Sequence, residues 1–391
     1  MLRDRSREER GSGKSNFDRV LSFHAVGSAA PRAAALAIGG ALSSIALIAF
    51  PTLITSSRHA PYLETAPEKA PLLLSVSMHT PPQGTAASGG TLDSAERNQV
   101  IAGVISNLKD YYVYPEMAQK MVNALEAHQQ AGDYNAQTDG PAFADLLTKQ
   151  LRDVSHDRHL RVVYEPMTAG SGAPRAPEND ADFRRFVESH NCAFAKAEVL
   201  PDNIGYLKLD AFAPPSLCRA TAIAAFGFLA HVDALIFDLR ENHGGDPHMV
   251  ALMASYLFDR PTHLNDIYNR RENSTQQFWT SADLPGTKFP GKPAYVLTSG
   301  ETFSGGEEFT YDLKNLKRAT IVGERTGGGA HLVAPHRIDD QFAIGVPFGR
   351  PINPVSKTDW EGTGVEPDVK VKAADALETA EKLARGKLVS K

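Results

Sequence analysis

Between residues 93 and 155, apolar side chains recur at helical intervals. Val100, Ile101, Val104, Ile105 and Leu108 form one stripe, Met117, Met121, Val122 and Leu125 a second, and Phe143, Leu146, Leu147 and Leu151 a third. Asp93 stands three residues before Glu96, the spacing of a capping box. The pattern predicts three amphipathic helices in a small bundle domain over 93–160. From His159 the period shortens. His159–Tyr164 reads as a strand, and a loop rich in Gly, Ala and Pro occupies 167–177. Short apolar runs then predict strands at 204–209, 234–239, 294–298, 319–322 and 342–346. Helical stretches at 216–230, 247–258 and 304–316 alternate with them. Such alternation predicts an α/β domain over 161–375. The segment 259–292, rich in Asn, Arg and Gln, reads as a surface excursion with one hairpin, and 376–391 as a C-terminal tail.

The N-terminal region differs from the rest. No charged residue occurs from Ala33 to Ser57, and arginines and a lysine precede that stretch. An apolar run of about twenty residues spans a bilayer, and flanking positive charge keeps its N-terminal side in the cytoplasm. Residues 1–57 therefore read as a basic cytoplasmic segment with a signal anchor or signal peptide. Residues 58–92, punctuated by Pro and Gly, read as a linker. Everything beyond is expected to be exported, periplasmic or extracellular, held at the inner membrane if the segment stays uncleaved.

Composition adds little. Apolar content of 42%, charged content of 22% and a net charge of −5 are those of a soluble globular protein with no nucleic-acid footprint. Cys192 and Cys218 are the two cysteines, Cys192 on an expected strand and Cys218 at an expected helix start. Export permits a disulfide between them; two buried thiols fit equally.

Two stretches carry candidate chemistry. In Val296–Phe309 a strand runs into a short loop, and Ser304 stands at the first turn of a helix, followed by Gly305 and Gly306. A helix N-terminus presents unpaired N–H groups and a positive dipole end, which suit a nucleophile and a developing oxyanion, although serine is equally a common helix cap. In Phe237–Asp246 a strand ends in a charged pair, then Gly244 and Gly245, then a capped helix. The carboxyl end of a strand is where α/β sheets place their sites. His243, Asp246, His248, His331 and His336 lack a recognised metal spacing, and Gly327–Gly329 lacks the Gly-Lys-Ser/Thr ending of a phosphate loop. No metal or cofactor is expected. Glu307 and Glu308 complement the helix dipole and need no catalytic role.

Taken together, DLRxNxGG at 238–245, TSxxxxSxxEEF at 298–309, WEGTGVEPD at 360–368 and LKDYYVYPE at 108–116 resemble the C-terminal processing (tail-specific) peptidases. The resemblance implies a crotonase-like core of ββα units beside a small helical domain, and peptide hydrolysis through an acyl-enzyme. One branch of that family uses a lysine downstream of the serine; here Gly329 stands at its place. The chain is more similar to the histidine-using branch, with the tricorn core protease and interphotoreceptor retinoid-binding protein. That branch implies Ser304 as nucleophile, His159 of the Asp157-Arg-His159 stretch as base, and Glu361 to orient it, directly or through another hydroxyl. Gly245 and Gly305 would form the oxyanion hole, with His156 and Ser155 as secondary candidates. The stretch between Tyr164 and Ile204 is too short for the PDZ domain many relatives carry. A peptide or protein is the expected substrate; a non-catalytic apolar-ligand carrier and a small-ester hydrolase are the alternatives.

Overall fold

The fully apolar runs become the middle of a sheet. A computed structural model describes residues 91–166 and 181–390, and its architecture is mixed α/β. In chain order it begins with helices α1 (Ser94–Tyr111), α2 (Pro115–Ala131) and α3 (Gly140–Ser155), then strand β1 (Arg161–Tyr164). Helix α4 (Ala181–Ser189), strands β2 (Phe194–Leu200) and β3 (Ile204–Leu209), and helix α5 (Pro215–Phe228) follow. Next come β4 (Ala234–Asp238), α6 (Pro247–Ser255) and the pair β5 (His263–Asn269) and β6 (Ser274–Trp279). The chain continues through β7 (Ala294–Thr298), α7 (Gly305–Asn315), β8 (Thr320–Gly323), β9 (Leu332–Arg337) and β10 (Phe342–Ile352). It ends with β11 (Val369–Lys370) and α8 (Ala376–Val389). The apolar stretch 33–57, the linker as far as residue 90 and the loop 167–177 lie outside the described residues. Among the described residues no helix is long and apolar enough to cross a membrane.

One sheet has the order β11-β8-β7-β4-β3-β2, parallel except where β2 meets β3. Every residue of β4 and of β7 is buried, as expected of strands covered on both faces. Helices α5, α6 and α7 cover one face, where Phe226, Phe237, Met253 and Phe309 share a core. The other face is closed by α8, whose Ala376, Ala380 and Ala384 are fully buried against Ile204, Ile236 and Tyr295. The expected C-terminal tail is therefore a structural helix. Its buried stripe consists of alanines, too weakly apolar to stand out in a hydropathy reading.

The second sheet is antiparallel, β1-β10-β5-β6 with β9 also on β10. The segment 259–292 thus contributes two strands to a sheet, with Leu264 and Ile267 buried, and is more than a surface excursion. Its polar residues misled because Asn265 and Asn269 are also buried. Helices α1 to α3 do form, α1 with the expected Asp93–Glu96 capping box. Their Val104, Leu108, Leu125 and Leu147 share one core with Val162, Phe342 and Ile344, so they pack on this sheet as well as on each other.

Cys192 and Cys218 are joined by a disulfide, with Cα atoms 5.6 Å apart. Cys192 lies in a turn just ahead of β2 with φ of 56°, not on the strand.

Candidate active site

Strands β4 and β7 are hydrogen-bonded neighbours and run parallel, so the loops that leave them emerge side by side. After β4, Asn242 is buried; its amide donates to the Leu209 carbonyl and its oxygen accepts the Gly244 N–H. Gly244 and Gly245 take φ of 101° and 137°, where a side chain is strained. A Cβ on Gly244 would stand 2.6 Å from Ser304 Cβ, and one on Gly245 2.1 Å from the Phe212 carbonyl oxygen. After β7, the Thr302 hydroxyl donates to the Leu239 carbonyl at 2.7 Å and the Phe303 N–H to the Asn242 carbonyl at 2.9 Å. The two loops are sewn together, and the double glycine lets one backbone rest on the other.

Ser304 ends the β7 loop and caps α7 with φ 51° and ψ −120°. A non-glycine residue held there is strained, and strain of this kind gathers at functional sites. A serine at a sharp strand-to-helix turn projects its hydroxyl clear of the backbone. The turn is held by Glu307, which is buried. Its carboxylate accepts from the N–H groups of Ser304, Gly328 and Gly329 and from the Thr326 hydroxyl. Burial pushes the Glu307 carboxyl up to about 7 against these bonds. Its part in bracing the loop was not legible as anything beyond helix-dipole compensation. The amide N–H groups of Gly245 and Gly305 have no acceptor among the described residues, and a Cβ on Gly305 would lie 3.0 Å from the Gly245 nitrogen. Two unspent donors therefore sit beside Ser304.

His159 and Ser304 line the same cleft, of about 410 Å³, with Phe303, His331 and Trp360. The His159 ring packs on Phe303, centroids 4.8 Å apart. Its Nδ1 is buried without a hydrogen-bond partner, 3.8 Å from Asp157 Oδ1. Burial lowers the His159 pKa to about 4, against the smaller opposing pull of Asp157, so the imidazole is a neutral base at ordinary pH. Asp157 Oδ1 accepts the His159 backbone N–H at 2.9 Å. Asp157 Oδ2 accepts from His331 Nδ1 at 2.6 Å and from the Tyr112 hydroxyl at 3.1 Å. Burial opposes ionisation of Asp157, but the His331 hydrogen bond and charge outweigh it and hold the carboxyl below the usual range. The same pair raises His331 despite its own burial.

Glu361 Oε2 accepts from the N–H groups of Ala330 and His331 at 2.6 and 3.2 Å and lies 3.6 Å from His331 Nδ1. Burial raises its pKa to about 7. One nitrogen of His159 and one oxygen each of Asp157 and Glu361 lie within 4.8 Å of one another. A divalent cation has a conceivable donor set in these three groups.

Comparison with known proteins decides what this geometry belongs to. Residues 203–371 match the model of peptidase family S41, and residues 94–199 match the N-terminal domain of that family as found in eukaryotic IRBP. The chain belongs to peptidase family S41. Its curated relatives include a chloroplastic C-terminal processing peptidase of Tetradesmus obliquus, 27% identical over 63% of this chain and 54% of that one. Carboxyl-terminal-processing peptidase 2 of Arabidopsis thaliana is 27% identical over 46% of this chain and 34% of its own. The chain thus spans about half the length of the first of these and a third of the second. A solved Parabacteroides merdae structure described as a peptidase shares the fold, with TM-score 0.52 and 18% identity over 74% of this chain and 96% of that one.

Within this S41 chain, Ser304, His159, Gly245 and Gly305 come together at one cleft, with Glu361 next to His159 but hydrogen-bonded to the 330–331 backbone. The secondary candidates stay apart from it. His156 is exposed at the C-terminal cap of α3, and the Ser155 hydroxyl bonds the Leu151 carbonyl and the Asp157 N–H. His243 lines the cleft, His248 pairs with Asp246, and His336 stacks on Tyr111. Gly329 has no room for a lysine: a Cβ there would lie 2.0 Å from the Phe303 ring and 2.8 Å from His159 Cε1. Asp157 and His331 are the site residues that sequence reading undervalued. Asp157 was visible in the Asp-x-His spacing; His331 carried no signal of its own.

Proposed function

We propose that this protein is a serine peptidase that cleaves peptide bonds through an acyl-enzyme on Ser304. The observation that carries the reading is the strained Ser304 elbow set against two unspent amide donors, with a neutral buried histidine lining the same cleft. His159 Nε2, the nitrogen left once Nδ1 is buried, accepts the Ser304 hydroxyl proton as Oγ attacks the scissile carbonyl. The Gly245 and Gly305 N–H groups receive the oxyanion. His159 then gives its proton to the departing amine, and water attacks the acyl-enzyme by the reverse sequence. Asp157 sets the backbone of His159, and Asp157 and Glu361 supply negative charge near the imidazolium. In this arrangement Glu361 assists by charge and by holding the 330–331 backbone, without a direct hydrogen bond to the base.

The core is read as crotonase-like, with 93–160 as the helical part, 161–375 as the peptidase part and no PDZ domain. Export remains part of the proposal: the disulfide suits an oxidising compartment, and the uncharged stretch 33–57 suits a membrane signal. A fluorophosphonate probe tests the catalytic reading. Labelling should be lost in Ser304→Ala and His159→Ala and retained in His156→Ala. Folded wild-type protein that resists the probe would instead favour a ligand carrier, and a dead His156 variant would overturn the base assignment.

A further inference from the structure

Around the Nδ1 edge of His159, donor atoms come together that the fold leaves unspent. Nδ1 itself has no hydrogen-bond partner among the described residues, in a side chain only 10% exposed. Asp157 Oδ1 lies 3.8 Å from it and is held there, because Oδ2 is fixed by His331 Nδ1 at 2.6 Å and by the Tyr112 hydroxyl at 3.1 Å. Glu361 is tied in the same way. Its Oε2 takes the Ala330 and His331 N–H groups, and its Oε1 is buried with no hydrogen-bond partner. Buried polar atoms left unpaired cost free energy, and two of them beside one carboxylate point to a shared partner. One nitrogen of His159 and one oxygen from each carboxylate lie within 4.8 Å of one another. The two carboxylates face one imidazole, His331, whose charge only partly offsets theirs: burial raises the Glu361 carboxyl and His331 relieves it in part.

We propose that these three groups form an inhibitory site for a divalent cation of the zinc class, bound by His159 Nδ1, Asp157 Oδ1 and one oxygen of Glu361. One imidazole and two carboxylates, with a fourth position open to water, make a donor set that zinc accepts. Tetrahedral zinc holds its ligands about 3.3 Å apart, so closing on the ion takes a movement of at most about 1.5 Å. Glu361, its side chain 18% exposed, can supply this by rotation. His331 and the 330–331 backbone, which fix the other carboxylate oxygens, serve as the outer shell that orients the ligands. Inhibition follows from the tautomer, and this half of the proposal rests on the peptidase reading. A neutral imidazole has one lone pair and one N–H. Catalysis needs the lone pair on Nε2 and the proton on Nδ1. Zinc on Nδ1 takes the lone pair there and leaves the proton on Nε2, which can then no longer accept from Ser304. Proton and metal compete for one atom.

The test uses the full chain without a histidine tag. Zinc binding is measured by calorimetry on Ser304→Ala, alone and combined with Glu361→Gln or His159→Gln, with circular dichroism reporting the fold. Each second substitution should weaken binding about tenfold or more. In nitrogen NMR spectra of isotope-labelled histidine in Ser304→Ala, zinc should move the His159 proton from Nδ1 to Nε2, a readout that needs neither a change at the metal site nor activity. In the wild type, saturating zinc should slow fluorophosphonate labelling about a hundredfold, the worth of a general base, and EDTA should restore it. No binding below about 1 mM zinc, or binding unaffected by both second substitutions, overturns the site. A saturated site with unchanged labelling, or with the proton still on Nδ1, overturns the inhibition. Folded protein that resists the probe even without zinc fails the peptidase reading, and calorimetry and proton position on Ser304→Ala then decide the metal site by themselves.

Discussion

The depressed basicity of His159 predicts where activity should fail in acid. A free imidazole titrates near 6.5, whereas burial beneath Phe303 and the Gly329 backbone lowers His159 to about 4. The difference favours the neutral base by about 3 kcal/mol. At pH 5 an imidazole of the lower pKa is about 90% neutral and an ordinary one about 3%. Wild-type protein labelled by a fluorophosphonate across the whole acid limb of the profile should therefore keep most of its plateau rate at pH 5. The rate should halve near pH 4, with folding followed by circular dichroism at each point. Because the Glu361 carboxyl is itself raised to about 7, the profile is also taken on Glu361→Gln, and a half-point near 6.5 in that variant would refute the reasoning: the base would then be solvated or would be another group. The same burial works against the fold in acid. Below pH 6.5 the unfolded chain takes up protons that folded His159 and His336 refuse until about 4, so their contribution to stability declines as pH falls through that window.

Three further outcomes follow from the packing. Gly244→Ala places a methyl 2.6 Å from Ser304 Cβ at a φ of 101°, so Ser304 should shift and labelling should fall about a hundredfold, with stability down by about 1–3 kcal/mol; unchanged labelling would contradict the contact. Gly329→Lys should not restore labelling to His159→Ala, because Phe303 fills the space a lysine would need; rescue would show that the loop can open. Reducing the Cys192–Cys218 bridge, which spans a sequence separation of 26, should cost about 3.5 kcal/mol by loop-closure entropy, read as a lower urea midpoint; coincident melts with and without reductant would refute it.

Periodicity and motif spacing by themselves determined much of this protein. The apolar runs at 234–239 and 294–298 read as strands, and a glycine pair after one with a serine after the other marked two halves of a candidate site. The histidine base at Asp157-Arg-His159, with no lysine at 329, was implied only by the resemblance to the C-terminal processing peptidases. The tertiary structure decided what depends on residues far apart in the chain. Sheet order put the two loops side by side, and packing on Phe303 removed water from His159. Asp157 and His331, which are 174 positions apart, became an ion pair, and Glu361 was tied to the 330–331 backbone rather than to the base. Alanine-striped α8 and the Asn-rich β5 likewise owe their burial to partners that local hydropathy does not see. Short-range pattern reports the period and polarity of a segment. Desolvation, and the charges that accompany it, depend on which distant segment closes over it.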